Sequence, residues 1–272
     1  MGTLKKIILY LLLLAGALMF LYPFIWMLSA SLAPENELSN LILFPSHFTL
    51  SSYIQMLAKI PVGRALFNSI FVSLSVTAGV LIFSSMVGYA LSRLNFRGRE
   101  LIFYIIIFTM TLPFQITLIP QYILIVKFGW VDTYLALIIP YFMNALGILI
   151  FRQHFKTIPQ DLIDAARIDG CGEMHILFRI LWPSSIPALV TVGILTFMGT
   201  WNEVLWPLIV IRTEELMTMP QMVTLFAVGG RAESQLGAKL AAATMLAIPI
   251  LLAYTFFQRY FIQSMAASGL KE

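Results

Sequence analysis

Long apolar runs separated by short polar clusters make up almost the whole chain. A helix that crosses a bilayer needs about 20 mostly apolar residues, because the hydrocarbon core is about 30 Å thick and each residue rises about 1.5 Å. The segments that meet this requirement are Ile7–Ser31, Leu66–Ser92, Leu101–Ile123, Tyr134–Phe151, Ile186–Ile211 and Leu240–Ile262. The pattern therefore predicts an all-α membrane protein with six transmembrane helices, in a single domain over residues 1–272. Pro23, Pro113, Pro120, Pro140, Pro187, Pro207 and Pro249 fall within these segments. Neighbouring membrane helices can re-satisfy the carbonyls that proline frees, so kinked or partly unwound spans are expected. Lys5-Lys6 before the first run resembles a signal peptide, but the charge-free run continues to Pro34. A signal peptide's apolar region is about 7–15 residues, so an uncleaved anchor is expected.

Composition strengthens the membrane reading. Sixty per cent of the residues are apolar and 11% charged, with mean hydropathy +0.89. A soluble domain usually has about a quarter of its residues charged. The net charge of +4 would hint at nucleic acid in a soluble protein. Here it fits Lys and Arg retained on the cytoplasmic side, and no nucleic-acid partner is expected. With the N-terminus inside, eleven of the Lys and Arg residues fall in inner segments and six in outer ones, which predicts both termini in the cytoplasm. Cys171 is the single cysteine, so no intramolecular disulfide framework exists. His47, His154 and His175 are scattered and form no metal spacing.

In that topology the long inner loop, residues 152–185, is the most informative stretch. Pro159-Gln-Asp-Leu-Ile-Asp-Ala-Ala-Arg-Ile-Asp-Gly170 reads as a short helix. Pro159 suits its first turn, Asp161 and Asp164 suit its positive end, and Gly170 suits its stop. Ala165 and Ala166 leave one face nearly bare, and Leu162 and Ile163 supply apolar contact. On the residues alone, two readings stand: a helix inserted into a groove of another protein, or a surface helix packed at the membrane boundary.

Asp164-Ala165-Ala166, then Gly170, Ile180, Trp182 and Pro183 at fixed spacing resembles the EAA motif of ABC importer permeases, E-A-A-x3-G-x9-I-x-L-P. Asp replaces Glu and Trp replaces Leu. The segment Phe197–Glu203 with Leu205-Trp206-Pro207-Leu208 is similar to the fifth span of carbohydrate permeases of the maltose type. Leu112-Pro113-Phe114-Gln115, Asp132-Thr133-Tyr134 and Arg152-Gln153 continue the likeness, over roughly residues 66–265. The short first outer loop resembles that family's smaller subunit.

The resemblance implies a type I ABC importer permease with a cytoplasmic coupling helix, in a prokaryotic inner membrane. It also implies a division of labour: a second permease subunit, two ATPase subunits docked on the inner loop, and an extracytoplasmic solute-binding protein at the outer loops. The chain contains no G-x-x-x-x-G-K-[ST] phosphate loop, so ATP and Mg are expected on the partner ATPases, with no cofactor or catalytic residue here. Leu162, Asp164, Ala165, Ala166, Gly170, Ile180 and Pro183 are the expected coupling residues. The implied cargo is a sugar or oligosaccharide; a sugar-like solute such as glycerol 3-phosphate is the alternative. A secondary transporter is the rival mechanism, but Glu203 is the one acid within a predicted span and no repeat is visible.

Polar side chains within spans face a cavity or a neighbouring helix. Gln115, Asn144, Trp201, Asn202 and Glu203 are the substrate-path candidates, because sugars take amide or carboxylate partners and flat aromatic faces. The amides could equally serve cross-helix hydrogen bonds. Gly79, Gly88, Gly193 and Gly199 are read as sites of close helix packing.

Overall fold

The computed structural model describes residues 3–40, 44–228 and 235–269. Its helices are α1 (Thr3–Ser31), α2 (Ser51–Lys59), α3 (Val62–Arg93), α4 (Arg99–Thr109), α5 (Phe114–Lys127), α6 (Tyr134–Ile138) and α7 (Ala145–Thr157). They continue with α8 (Gln160–Ile168), α9 (Glu173–His175), α10 (Trp182–Ser184), α11 (Ile186–Trp201), α12 (Leu205–Val210), α13 (Met219–Val228) and α14 (Leu236–Gly269). Ile176–Leu181 is wound as a π-helix. No strand occurs among the described residues.

Among the described residues, three helical stretches are long and apolar enough to cross a membrane: Leu4–Ser31, Val62–Arg93 and Tyr134–Thr157. Two further crossings are possible only as bent pairs. Arg99–Thr109 meets Phe114–Lys127 at 103°, and Glu173–Ser184 meets Ile186–Trp201 at 88°. The expected span Leu101–Ile123 is thus one of the broken ones, interrupted before Pro113. Pro113 has no N–H and disfavours helical geometry at Leu112, so α4 ends and Pro113 opens α5 from an extended conformation (φ −58°, ψ 134°). The expected span Ile186–Ile211 is also interrupted, between Trp201 and Leu205. Pro207 then lies in the first turn of α12, where a missing N–H costs nothing. The fourth span runs past its expected end at Phe151 to Thr157. The sixth, Leu240–Ile262, falls inside α14, and its second half lies beyond the side chains described.

The chain divides into two compact units. One comprises residues 1–63 with 222–251. Within it Thr49 N–H donates to Leu32 O (2.8 Å), and Ser31 Oγ and Tyr53 Oη lie 2.8 Å apart, which fixes α2 against the end of α1. The Glu35 carboxylate accepts from Leu236 N–H (2.6 Å) and Gly237 N–H (3.0 Å), capping the first turn of α14.

The other unit comprises residues 64–221 with 252–272. Its core joins Val72, Val76 and Val80 along one face of α3 to Phe151 and Phe155 of α7 and Trp206 and Val210 of α12. Within the bilayer such contacts gain by close packing, since lipid tails are as apolar as the side chains. Gly88 shows how close that packing is. A Cβ there would meet Phe151 Cβ at 2.7 Å and Arg152 N at 3.0 Å. The expected close approach at Gly199 is not found: nothing lies within 4 Å of a Cβ there.

Candidate functional site: the inner helix and the broken fifth span

The loop over residues 152–185 folds as the sequence suggests, into a short helix with a defined stop. In α8, Pro159 takes the position before the first turn and Asp161 lies in that turn. The helix ends in a Schellman motif: Cys171 N–H donates to Ala166 O (2.9 Å) and Gly170 N–H to Arg167 O (3.0 Å). Gly170 carries φ +83°, and a Cβ added to it would meet nothing within 4 Å. Its glycine is therefore required by backbone conformation and not by space.

The two alanines part company. Ala165 is exposed, while Ala166 is 6% exposed and packs with Ile163 into the chain's own core. The bare face expected to hold both is therefore a face carrying Leu162, Asp164, Ala165 and Ile168. Ile168 is 86% exposed, an apolar side chain held out in water next to three acids. Ile163 and Ile176 are fully buried.

A polar network ties α8 to the rest of its unit. Asp164 Oδ1 accepts from Gln160 Nε2 (2.9 Å) and pairs with Arg167 Nη1 (3.5 Å). Arg167 donates from Nε and Nη2 to the two Glu173 oxygens (3.0 and 3.3 Å), and the Tyr89 hydroxyl of α3 donates to Glu173 as well. Arg93, at the end of α3, donates to the carbonyls of Phe155 and Ile158 and to Gln160 Oε1 (2.7 Å). Buried Arg152 donates to Leu91 O (3.1 Å), grips both Glu100 oxygens (2.7 and 2.6 Å) and lies 3.6 Å over the Phe103 ring. Sequence reasoning missed this network, reading Arg93 as a marker of topology and Arg152 as that and as part of the family likeness.

Ile180 lies in the π segment, half-buried, and Pro183 follows it, exposed. The wider turn accommodates a proline that can neither donate a hydrogen bond nor sit against the carbonyl four residues back. Trp182 Nε1 donates to Ser85 Oγ of α3 (3.0 Å).

The substrate-path candidates do not converge on one pocket. Trp201 is fully buried and stacks on Phe197 (centroids 5.9 Å apart), so its ring presents no open face. Asn202 is exposed, but its Nδ2 donates to Met198 O (2.9 Å) within its own helix. Glu203 accepts from Trp206 N–H (3.1 Å), capping α12. Both residues line the break in the fifth span. Asn144 caps α7 by accepting from Gly147 N–H (2.8 Å) and lines a cavity of about 60 Å³ with Val192, Leu195 and Thr196. Gln115 is exposed in the first turn of α5.

At the other end of this unit, Asp132 sits at φ +60° between α5 and α6. Its carboxylate accepts from the Thr213 hydroxyl and from the Thr213 and Arg212 N–H groups (2.9 Å each). The side-chain bond from Thr213, then the backbone bonds from Thr213 and Arg212, hold this carboxyl below the usual carboxylate range.

Apolar helices long enough to cross a bilayer, with further apolar helices paired at sharp bends, define a helical membrane protein. The chain belongs to the family of binding-protein-dependent transport system inner membrane components, whose profile matches residues 80–267. It is 36% identical to the arabinooligosaccharides transport system permease protein AraQ of Halalkalibacterium halodurans, over 94% of this chain and 92% of that one. It is 33% identical to the trehalose/maltose transport system permease protein MalG of Thermococcus litoralis, over 99% and 98%. A crystal structure of a bacterial ABC transporter involved in the import of the acidic polysaccharide alginate contains a chain of the same fold. That chain matches with TM-score 0.82 and 27% identity over 95% of this chain and 96% of its own length. The EAA-type resemblance is thus correct, and the fold is that of an ABC importer permease. The protein is a transport component of the inner membrane and not a catalytic subunit.

Proposed function

We propose that the chain is one permease subunit of an ATP-driven, binding-protein-dependent importer that carries a sugar or oligosaccharide inward. The observation that carries this reading is the exposed face of α8, where Leu162, Ala165 and Ile168 stand beside Asp161, Asp164 and Asp169 at the end of a rigidly held helix. Such a face fits a groove with an apolar floor and a basic rim on an ATPase subunit, and two such subunits hold ATP and Mg. A second permease subunit completes the path, a solute-binding protein docks on the outer loops, and both termini lie in the cytoplasm. The sugar assignment draws on relatives named for arabino-oligosaccharides, trehalose and maltose. A relative named for sulfoquinovosyl glycerol, 34% identical over 92% of this chain, keeps a glycerol-bearing solute as the second reading.

In this reading the solute enters past the break in the fifth span, where Asn202 and Glu203 face the opening and Trp201 braces it from behind; Asn144 and Gln115 lie further along. Tagged chain should recover two ATPase copies, a second permease and ATP hydrolysis stimulated by the binding protein. Uptake by that complex of arabinotriose, maltose or glycerol 3-phosphate then assigns the cargo. A chain that transports one of these without any ATPase would defeat the proposal.

A further inference from the structure

Helix α3 differs from the other crossings of its unit. It runs for 32 residues without a proline, while two of its neighbours break at 103° and 88° and the third, Tyr134–Thr157, is shorter and carries Pro140. A helix break absorbs displacement, whereas a continuous hydrogen-bonded helix carries it along its axis. Both ends of α3 are gripped, and largely through backbone atoms.

At the end facing residues 213–219, Asn68 is fully buried. Its Nδ2 donates to Glu215 O (2.8 Å) and Met217 O (2.9 Å), and its Oδ1 accepts from the Tyr134 hydroxyl (2.6 Å). Ser69 Oγ accepts from Met219 N–H (2.7 Å), and Arg64 Nε donates to Glu215 O (3.0 Å). At the other end, Tyr89 and Arg93 hold Glu173 and the carbonyls that lead into α8, and Glu173 holds Arg167 of α8 itself. The rise from Asn68 to Arg93 is about 38 Å at about 1.5 Å per residue, enough to cross the hydrocarbon core.

We propose that α3 is the rod joining α8 to the outer segment 213–219, with Asn68 as positioning residue at one end and Glu173, Tyr89 and Arg93 at the other. Docking of the binding protein outside and nucleotide-driven movement of α8 inside are exchanged along it. The proposal rests on the reading of α8 as the ATPase contact. Asn68 grips main-chain carbonyls, so any shift of 213–219 must move α3 or break two hydrogen bonds from a buried amide. Glu173 links α8 to α3 through two partners, so α8 cannot tilt without pulling on Tyr89.

The test uses the complete reconstituted transporter, with ATP hydrolysis measured alone and with binding protein plus whichever sugar of the uptake panel stimulates the wild type. Asn68→Ala and Glu173→Gln should each keep basal hydrolysis within about twofold and reduce the stimulated increment at least about fivefold. Because the links act in series, the double variant should be no worse than the weaker single. Tyr89→Phe, which removes one hydroxyl, should give a partial loss with unchanged complex yield. Full stimulation per assembled complex in either single variant overturns the proposal, and so do defects that multiply in the double variant. A wild-type complex without stimulated hydrolysis would instead defeat the importer reading.

Discussion

Asp132 bears a strain that only its side chain explains. A non-glycine residue at φ +60° is uncommon, and Asp or Asn tolerates it best because the short polar group bonds locally. Here the carboxylate gathers two N–H groups and a hydroxyl from residues 212–213, so the turn before α6 and the end of α12 are pinned together. Its pKa is lowered in the folded state, so its contribution is present above the unfolded value of about 3.9 and is lost as pH falls through the folded value. Asp132→Asn keeps the tolerance for this backbone but removes the charge. Thermal melting should show the variant less stable than wild type at pH 7, with the gap closing below about pH 4. A constant gap across that range would mean the charge contributes nothing.

Among the helices, the pairing of α3 with α7 is sensitive to a single atom. At Gly88 the nearest obstacles to a Cβ are Phe151 Cβ at 2.7 Å, Arg152 N at 3.0 Å and Ile148 O at 3.3 Å. Two of these are backbone, so a rotamer change cannot make room and the helices must separate. Overpacking of this kind costs about 1–3 kcal/mol. Gly88→Ala should lower the melting temperature of the detergent-solubilised protein, and it should also weaken the Arg152–Glu100 and Arg152–Phe103 contacts beside it. An unchanged melting temperature would show that the two helices separate freely at this point. The glycine was legible as a packing site in the sequence, but its partner was not: the pattern of one helix does not say which neighbour it meets.

At the scale of the whole molecule, sequence patterning reached the apolar runs, the inner helix and its glycine stop, because each is governed by local rules of length, charge and φ. It anticipated kinked or partly unwound spans at the prolines, but not which of them would break. Proline marks where a membrane helix can break, but whether it breaks depends on neighbours that receive the freed backbone groups. Nor could it foresee that Trp201 would be buried, or that Ala166 would face inward while Ala165 faces out, since burial is decided by elements far along the chain. The network of Tyr89, Arg93, Arg167 and Glu173 is longer in range still. Topology is the level at which Cys171 is informative. It is half-buried beside α8 in the loop assigned to the cytoplasm. A membrane-impermeant thiol reagent should leave it unmodified in intact cells and react in inverted vesicles; labelling of intact cells would reverse the orientation. Denatured membranes supply the positive control, since they expose the thiol wherever it lies.

Glu35 also sets an order of events in time. The amides it receives, those of Leu236 and Gly237, open a helix that leaves the ribosome 201 residues after it. Until that helix arrives the carboxylate has neither of these partners, and the first turn of α14 finds this cap only in a chain already long enough to supply both. The contact therefore forms late by necessity, and a nascent chain stalled before residue 236 cannot make it. A truncated product is thus distinguishable from a longer one at a single carboxylate, far upstream of the point of truncation.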